Sequence, residues 1–346
     1  MSASAATTQF ERSFVAAAKA GDEAAFAALA EQYRAELQLH CYRMLGSFHD
    51  AEDLVQETLL RAWSKRSTYQ GRAPFRAWLY GIATNACLDA LRRRPKRLLP
   101  PDLHKAADPT VAPQPWGDLP WLEPFPDDLL EQVAANADQP EARLLARETT
   151  ELTFLAAIQH LPPRQRAVLI LRDILEWSAN DTAATLETTV ASVNSALQRA
   201  HSALGKHLTT GGTHSTDAAS ARERKLLDGL IDAWEQADAK ALAALLRDDA
   251  RLIMPPTPSW YAGRDAIETF FATRAFHSAD SSSRYRFITT AANRQPAAAV
   301  YRRSNPSEPR KPFGLLVVAA TADGIRDLTL FHLPNLFSAW GLPATL

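Results

Sequence analysis

Asn85, one helical turn before Asp89, lies in the helix-patterned stretch Trp78 to Leu91, and five basic side chains follow at positions 92, 93, 94, 96 and 97. A side-chain amide presents a donor and an acceptor side by side, the pairing that base edges accept. Guanidinium and ammonium groups meet phosphates, which fix position without reading sequence. Basic residues also complement a helix C-terminus, but five in six positions exceed what capping needs. Between Thr58 and Arg97 the bases Arg61, Lys65, Arg66, Arg72, Arg76 and those five oppose Asp89 alone, although the whole 346-residue chain carries a formal net charge of −1. The local charge is that of a face which grips a polyanion.

Two further sets of side chains have types and spacing that could act on a partner. Val190, Val193, Leu197, Ala200 and Leu204 form an apolar stripe at helical spacing, which leaves Asn194, Ser195, Gln198 and Arg199 outward. Asn and Gln suit adenine in the major groove and Arg suits guanine. The second set is Asp53, Gln56, Glu57 and Leu60, an outward strip of mixed polarity beside the buried stripe Leu54, Val55, Leu59 and Trp63. Acids in the first turn of a helix suit its dipole, yet a strip continuing to Leu60 also suits a protein partner. Cys41 and Cys87 are far apart and show no CxxC or Cys/His spacing, so no disulfide framework, metal or cofactor is expected and both read as small buried hydrophobes.

The elements that must position these groups change along the chain. From Thr8 to Arg94 apolar residues recur at three and four, which predicts about four helices, with "YQGRAP" (69–74) a loop between two of them. The basic run is expected to ride on the end of the helix from Trp78, whose buried stripe is Leu79, Ile82, Ala83, Ala86, Ala90 and Leu91. Nine prolines between Pro95 and Pro126 then forbid regular structure. This stretch is acidic, and Trp121 and Phe125 within it are expected to dock on a neighbouring domain. Helical signals resume at Pro140, with a first helix from Ser178, a plausible N-cap, to Leu186 and a second from Val190 to Leu204, the spacing of a helix-turn-helix. A Gly-, Ser- and Thr-rich boundary follows.

The last unit opens with helices at Leu226 to Trp234, Leu242 to Leu246 and Asp265 to Ala275. It turns to strands in "SRYRFITT", "AAAVYRR", "FGLLVVAAT" and "IRDLTLFHL", with Ala322-Asp323-Gly324 a hairpin turn. The start of the chain is charged at Glu11, Arg12, Lys19 and Asp22, unlike a signal peptide, and no run approaches the roughly 18 apolar residues of a membrane span. A cytoplasmic, membrane-free protein is expected.

"CYRMLGSFHDAEDLVQETLLRAW", "FRAWLYGIATNACLDALRRR" and "LPPRQRAVLILRDILEWSANDTAATLETTVASVNSALQRAHSAL" resemble regions 2 and 4 of extracytoplasmic-function sigma factors of the sigma-70 family, over roughly Phe14 to Leu208. "LLDGLIDAWEQADAKALAALLRDDARLIMPPTPSWYAGRDAIETFF" with the strands after it resembles the SnoaL-like branch of the cone-shaped nuclear-transport-factor-2-like fold. The combination is similar to actinobacterial sigma factors of the sigma G type. The implied architecture is multidomain: two all-α sigma modules, the second a helix-turn-helix, plus an α+β cone of the SnoaL-like type. The domains expected are region 2 at 8–97, an acidic Pro-rich linker at 98–139, region 4 at 140–208, a second linker at 209–221 and the cone at 222–346.

The resemblance also implies roles. Core RNA polymerase would bind Asp53, Gln56, Glu57 and Leu60 through its β′ clamp helices, with its β subunit a further partner. Promoter DNA would meet Tyr69, Arg76, Asn85, Arg92, Arg93 and Arg94 at the −10 element, where a base is extruded, and Asn194, Ser195, Gln198 and Arg199 at the −35 element. Glu187 stands where the family has Gly in the turn, so a left-handed residue costing on the order of 1 kcal/mol is expected there. Trp121 and Phe125 would contact the cone, which would tune the sigma module in cis and leaves a small apolar ligand open. Two rival readings are a ligand-responsive helix-turn-helix regulator and a sigma module fused to an active cyclase or isomerase. The catalytic rival has only His277, Asp327 and His332 to draw on.

Overall fold

The computed structural model describes residues 15–71, 74–117, 119–135, 150–207, 217–277 and 284–346. Phe10, Phe14, Arg72 and most of the second linker lie outside them. The chain packs as two compact units. One holds the residues up to Lys96 with residues 129–135 and Ala157–His207, and the other holds Arg97–Asp128, Thr150–Ala156 and the chain from residue 217 onward.

In the first unit α1 (Glu23–Leu45), α2 (Phe48–Lys65) and α3 (Phe75–Leu91) pack on one another. The turn between α1 and α2 needs only two residues. Gly46 takes a left-handed φ of 69° and returns its N–H to the Tyr42 carbonyl, and Ser47 caps α2 by accepting from the Asp50 N–H at 3.1 Å. Leu37, Cys41, Met44, Val55, Leu79, Ala83 and Cys87 are buried between the helices. Both cysteines are free thiols.

Two sequence expectations for α3 are corrected. The helix ends at Leu91, where Arg92 caps it, so the basic run follows the helix in a turn before Pro95. Its buried face is also broader than one stripe: Phe75, Tyr80, Thr84, Cys87 and Leu88 are buried, whereas Ile82, Ala90 and Leu91 are half-exposed. The reason is that α3 has three neighbours, α1, α2 and a helix of region 4.

The second helical stretch comprises α4 (Leu152–Gln159), α5 (Pro163–Leu169, continued by a wide turn to Ile174), α6 (Ala179–Thr185) and α7 (Val190–His207). Ser178 caps α6 through the Asp181 N–H at 3.0 Å. Glu187 adopts φ 49° in the turn between α6 and α7, the left-handed geometry expected of it. Val193, Ala196 and Ala200 are buried, while Val190 is exposed and Leu197 half-buried, so the core stripe of α7 runs through Ala196 instead of Val190.

The second unit is built on α8 (Asp217–Glu235), α9 (Ala239–Ala244), β1 (Leu246–Ile253), β2 (Trp260–Ala262), α10 (Arg264–Phe270), β3 (Tyr285–Ala292), β4 (Gln295–Arg302), β5 (Lys311–Thr321) and β6 (Gly324–Phe331). The strands form one mixed sheet in the order β2-β1-β6-β5-β4-β3, parallel only between β1 and β6. Sequence patterning predicts four strands and misses β1 and β2. In "LRDDARLI" the charges mask the period-2 signal; Arg247 pairs with Asp249, and Arg251 pairs with buried Asp327 of β6. Leu227, Leu230 and Trp234 of α8 pack with Tyr261, Phe271, Leu316, Leu328 and Leu330 into the cone's core. The β5–β6 turn is Ala322-Asp323, between paired Thr321 and Gly324.

His40 is buried in the first unit and His332 half-buried in the second, and both are held neutral. His40 places Nε2 2.9 Å from the Thr84 hydroxyl, and burial, then Arg43, lowers its pKa to about 3. Burial, then Arg302, lowers that of His332 to about 4. The folded values lie below the ordinary 6.5, so the unfolded chain binds more protons. The stability this adds is complete above pH 6.5 and is lost as pH falls toward 4. Between pH 7 and pH 5 each histidine should withdraw about 2 kcal/mol. Melting temperatures at the two pH values check this: the drop should shrink in His40→Gln and in His332→Gln, and an unchanged drop would refute the assignment.

Candidate nucleic-acid interface

The α2 strip lies in solvent as its spacing requires. Asp53 and Gln56 are exposed, Leu60 is 68% exposed, and Glu57 is half-buried and paired with Arg61.

Around α3 the sequence-selected residues divide. Asn85, Arg92, Arg93 and Arg94 are exposed, with Arg92 3.2 Å from Asp89 and Arg94 2.7 Å from Asp50. Tyr69 and Trp78 are half-buried with ring centroids 5.2 Å apart. Phe75 and Tyr80 belong to the core. Tyr80 donates to Glu36 at 3.3 Å, and burial, then Glu36, pushes its hydroxyl up, keeping it a donor. Arg76 is committed to the same Glu36 at 2.9 Å and lies over the Tyr80 ring.

On α7, Asn194, Ser195, Gln198 and Arg199 are all exposed, on the face opposite buried Val193, Ala196 and Ala200. The spacing of the sequence therefore places all four outward. Replacing Arg92, Arg93 and Arg94 together by Ala should reduce the slope of log affinity against log salt for single-stranded DNA by about 2, since each phosphate contact contributes roughly 0.7. Titrations at several salt concentrations measure it, and an unchanged slope would remove these residues from the interface.

The proline-rich segment folds back on itself and is anchored on the cone at several points. Within the segment Leu98 pairs with Trp121, and Arg97 donates to the Trp121 carbonyl at 2.9 Å. The Trp260 indole donates to the His104 carbonyl at 2.9 Å, and the Ala107 N–H returns to the Trp260 carbonyl at 2.8 Å. The Gln114 N–H donates to the Ser259 hydroxyl at 2.9 Å, and Trp116 stacks on His332 at 6.1 Å.

The tightest anchor is the β3–β4 turn, Asn293 and Arg294, both left-handed at φ 56° and 59°. Asn293 is fully buried. Its Oδ1 accepts from the Phe125 N–H at 2.8 Å, its N–H donates to the Phe125 carbonyl at 3.0 Å, and its Nδ2 donates to the Thr150 carbonyl at 2.7 Å. The next residues extend the clasp: the Arg294 N–H donates to Asp127 at 2.8 Å and Gln295 accepts from the Leu152 N–H at 3.1 Å. Trp121 and Phe125 are both buried in this unit. Asn293, Gln295, Ser259 and Trp260 hold this segment, and sequence reading missed them. The amide-rich turn "NRQ" between two strands was the available signal.

The catalytic candidates are differently placed. Asp327 faces away from the cone's core, which holds its neighbours Leu328 and Leu330, and is gripped by Arg251 at 2.6 Å and Arg326 at 3.0 Å. His332 is held neutral beneath Trp116, and His277 is exposed with Nδ1 2.7 Å from the Arg274 carbonyl. They form no common site.

A helical module with an exposed mixed-polarity strip and a basic face, joined to a helix-turn-helix and an α+β cone, has the architecture of a sigma factor with a C-terminal extension. The sequence matches the family models Sigma-70 region 2 at residues 29–97, Sigma-70 region 4 at 151–204 and SnoaL-like domain at 227–325. It is 42% identical over 322 residues to ECF RNA polymerase sigma factor SigG of Mycobacterium tuberculosis, covering 93% of this chain and 85% of that one. The chain belongs to the extracytoplasmic-function RNA polymerase sigma factors and carries a SnoaL-like C-terminal extension. ECF RNA polymerase sigma factor SigW of Bacillus subtilis is 30% identical over 190 residues, 55% of this chain and 92% of its own. The crystal structure of SigJ from Mycobacterium tuberculosis shares the fold, with a TM-score of 0.58 at 18% identity, covering 92% of this chain and 99% of that one. Among the described residues no helix is long and apolar enough to cross a membrane.

Proposed function

We propose that this sigma factor joins core RNA polymerase through Asp53, Gln56, Glu57 and Leu60, and reads a −10 element with Tyr69, Asn85 and Arg92 to Arg94. Arg76 supports that face by fixing Glu36 and Tyr80. The −35 element is read by Asn194, Ser195, Gln198 and Arg199. The protein acts in the cytoplasm, and the cone performs no chemistry. Its carboxylate Asp327 is already paired with two arginines, and half-buried His332 is uncharged.

The cone regulates in cis. The observation that carries this reading is the clasp at Asn293, which holds Phe125 and Thr150, two points of the segment that joins region 2 to region 4. A sigma factor must place its two readers at a fixed spacing on DNA. Whatever holds the connecting segment therefore sets how readily they reach that spacing. Run-off transcription with purified core polymerase on genomic promoter fragments tests both parts, comparing the full chain with one ending near residue 213. Specific transcripts that change in amount between the two proteins are expected. Equal amounts would remove the regulatory role, and no transcript from either, with DNA binding intact, would favour the helix-turn-helix regulator.

A further inference from the structure

One end of the cone's sheet is a rim of cations. Between Arg284 and Lys311 the sequence holds seven basic residues and one acid, Glu308. Arg294 belongs to the β3–β4 turn. The other six, Arg284, Arg286, Arg302, Arg303, Arg310 and Lys311, gather where β3 begins, β4 ends and β5 begins, all of them exposed or half-exposed. The Arg303 N–H donates to the Arg284 carbonyl at 3.1 Å, and Arg302 stands directly opposite Lys311. Like charges directly opposite on neighbouring strands destabilise a sheet, and burial, then the charges of Arg303 and Arg286, lowers the pKa of Arg310. The fold bears this crowding as a cost.

Arginine is treated differently elsewhere on the cone. Arg247, Arg251, Arg264 and Arg326 each have a carboxylate oxygen within 3.0 Å. At the rim Arg286 is paired with Glu235 at 3.1 Å, but Arg303 donates to the Pro306 carbonyl at 2.9 Å, Arg302 lies 4.1 Å above the Phe313 ring, and Glu308 accepts from Asn305 at 2.8 Å. The carboxyl of Leu346 is also at hand, since the main chains of Leu346 and Arg310 pair in both directions. Six cations against three anionic groups leave a positive surplus, on a chain whose whole formal charge is −1.

We propose that this rim is a further DNA-binding surface of the chain, gripping the phosphates of duplex DNA beside the −35 element without reading their sequence. Phosphate contacts need cations and no particular base edge. A single strand would also call for rings on which its bases stack, and the rings here are taken: Tyr285 and Tyr301 are buried, and Phe313 is half-buried beneath Arg302. The choice of duplex DNA rests on the −35 role proposed for α7. Nine residues separate α7 from α8 in the sequence, a span of at most about 35 Å, or roughly ten base pairs. The duplex next to a −35 element is thus a polyanion within the cone's reach.

Salt titrations of the full chain test it, with binding to a fluorescein-labelled, random-sequence duplex of about 30 base pairs followed by anisotropy. Replacing Arg284, Arg303 and Lys311 together by Gln should make the slope of log affinity against log salt shallower by about 2 to 3, since each phosphate contact on duplex DNA contributes roughly 0.9. The charge-keeping set Arg284→Lys, Arg303→Lys and Lys311→Arg should retain the natural slope. An unchanged slope in the Gln variant would overturn the rim and leave the −35 role standing; if that variant also bound core polymerase more weakly, the rim would belong to an acidic protein surface instead. Equal losses in the two variants would overturn the proposal in favour of a packing defect. Arg199→Glu puts a negative charge on the proposed −35 face and should weaken binding to the same duplex several-fold. No effect of Arg199→Glu, with the slope lost in the Gln variant, would remove the −35 role and keep the rim. Failure of the natural chain to bind the duplex at low salt would overturn both.

Discussion

Arg166→Met should lower the stability of the first unit by roughly 3–5 kcal/mol. The Arg166 guanidinium is 1% exposed and is held by oxygens of uncharged groups. It donates to the carbonyls of Ile158 at 2.9 Å, Gln159 at 2.8 Å and Leu161 at 3.2 Å, to Gln159 Oε1 at 2.5 Å and to the Met44 carbonyl. These oxygens lie at or just beyond the C-termini of α4 and α1, where a helix has no amide left to satisfy them. Methionine fills similar volume and removes the cost of burying a charge, several kcal/mol in its favour. It also abandons four main-chain acceptors at about 1–3 kcal/mol each, and that loss is the larger. Urea unfolding monitors the change, and a loss below about 1 kcal/mol would mean that the two effects cancel. Gln159 also donates to the Arg43 carbonyl at 3.2 Å. Gln159→Leu should therefore show a smaller loss of the same sign.

The second large effect is expected at Asn293→Ala. The substitution strips partners from the Phe125 N–H and the Thr150 carbonyl, both in buried surroundings, at about 1–3 kcal/mol each, and leaves a non-Gly residue at φ 56° without the tolerance of Asn. The clasp rather than the whole unit should open. Limited proteolysis should cut the stretch 97–128 at least about tenfold faster, because cleavage follows the open population. Asn293→Gly relieves the backbone and should recover only part of the protection, which separates side-chain bonds from strain. Promoter output of Asn293→Ala should move toward that of the chain ending near residue 213. Protection equal to the natural sequence would mean that the remaining anchors suffice.

Much of the first unit is legible in the sequence because its signals are local. Ser47 and Ser178 cap the helices they precede, Gly46 stops α1, and the outward placement of Asn194, Ser195, Gln198 and Arg199 follows from a stripe on their own helix. What was missed depends on distant partners. The buried face of α3 is set by three neighbouring helices, so a single-stripe rule fails at Ile82 and succeeds at Leu79. Arg166 carries no signal in its own stretch of sequence, because the carbonyls that surround it come from two helices. The proline-rich stretch announces that it is irregular, but the residues that hold it, Ser259, Trp260, Asn293 and Gln295, lie more than a hundred positions further on. Strand β1 was hidden because alternate positions carry paired charges that look helical by composition.

The anchoring of the linker has a consequence for how such a chain can diverge. At Ala107, Gln114, Phe125 and Leu152 it is a main-chain N–H that the cone captures, and at His104, Thr110, Phe125 and Thr150 a main-chain oxygen. Every non-proline residue carries both groups, so most side chains between the anchors are free to drift while the docking persists. Substitutions between the anchors should therefore cost the docking little, whereas an insertion between two anchors or a change on the receiving side should cost it more.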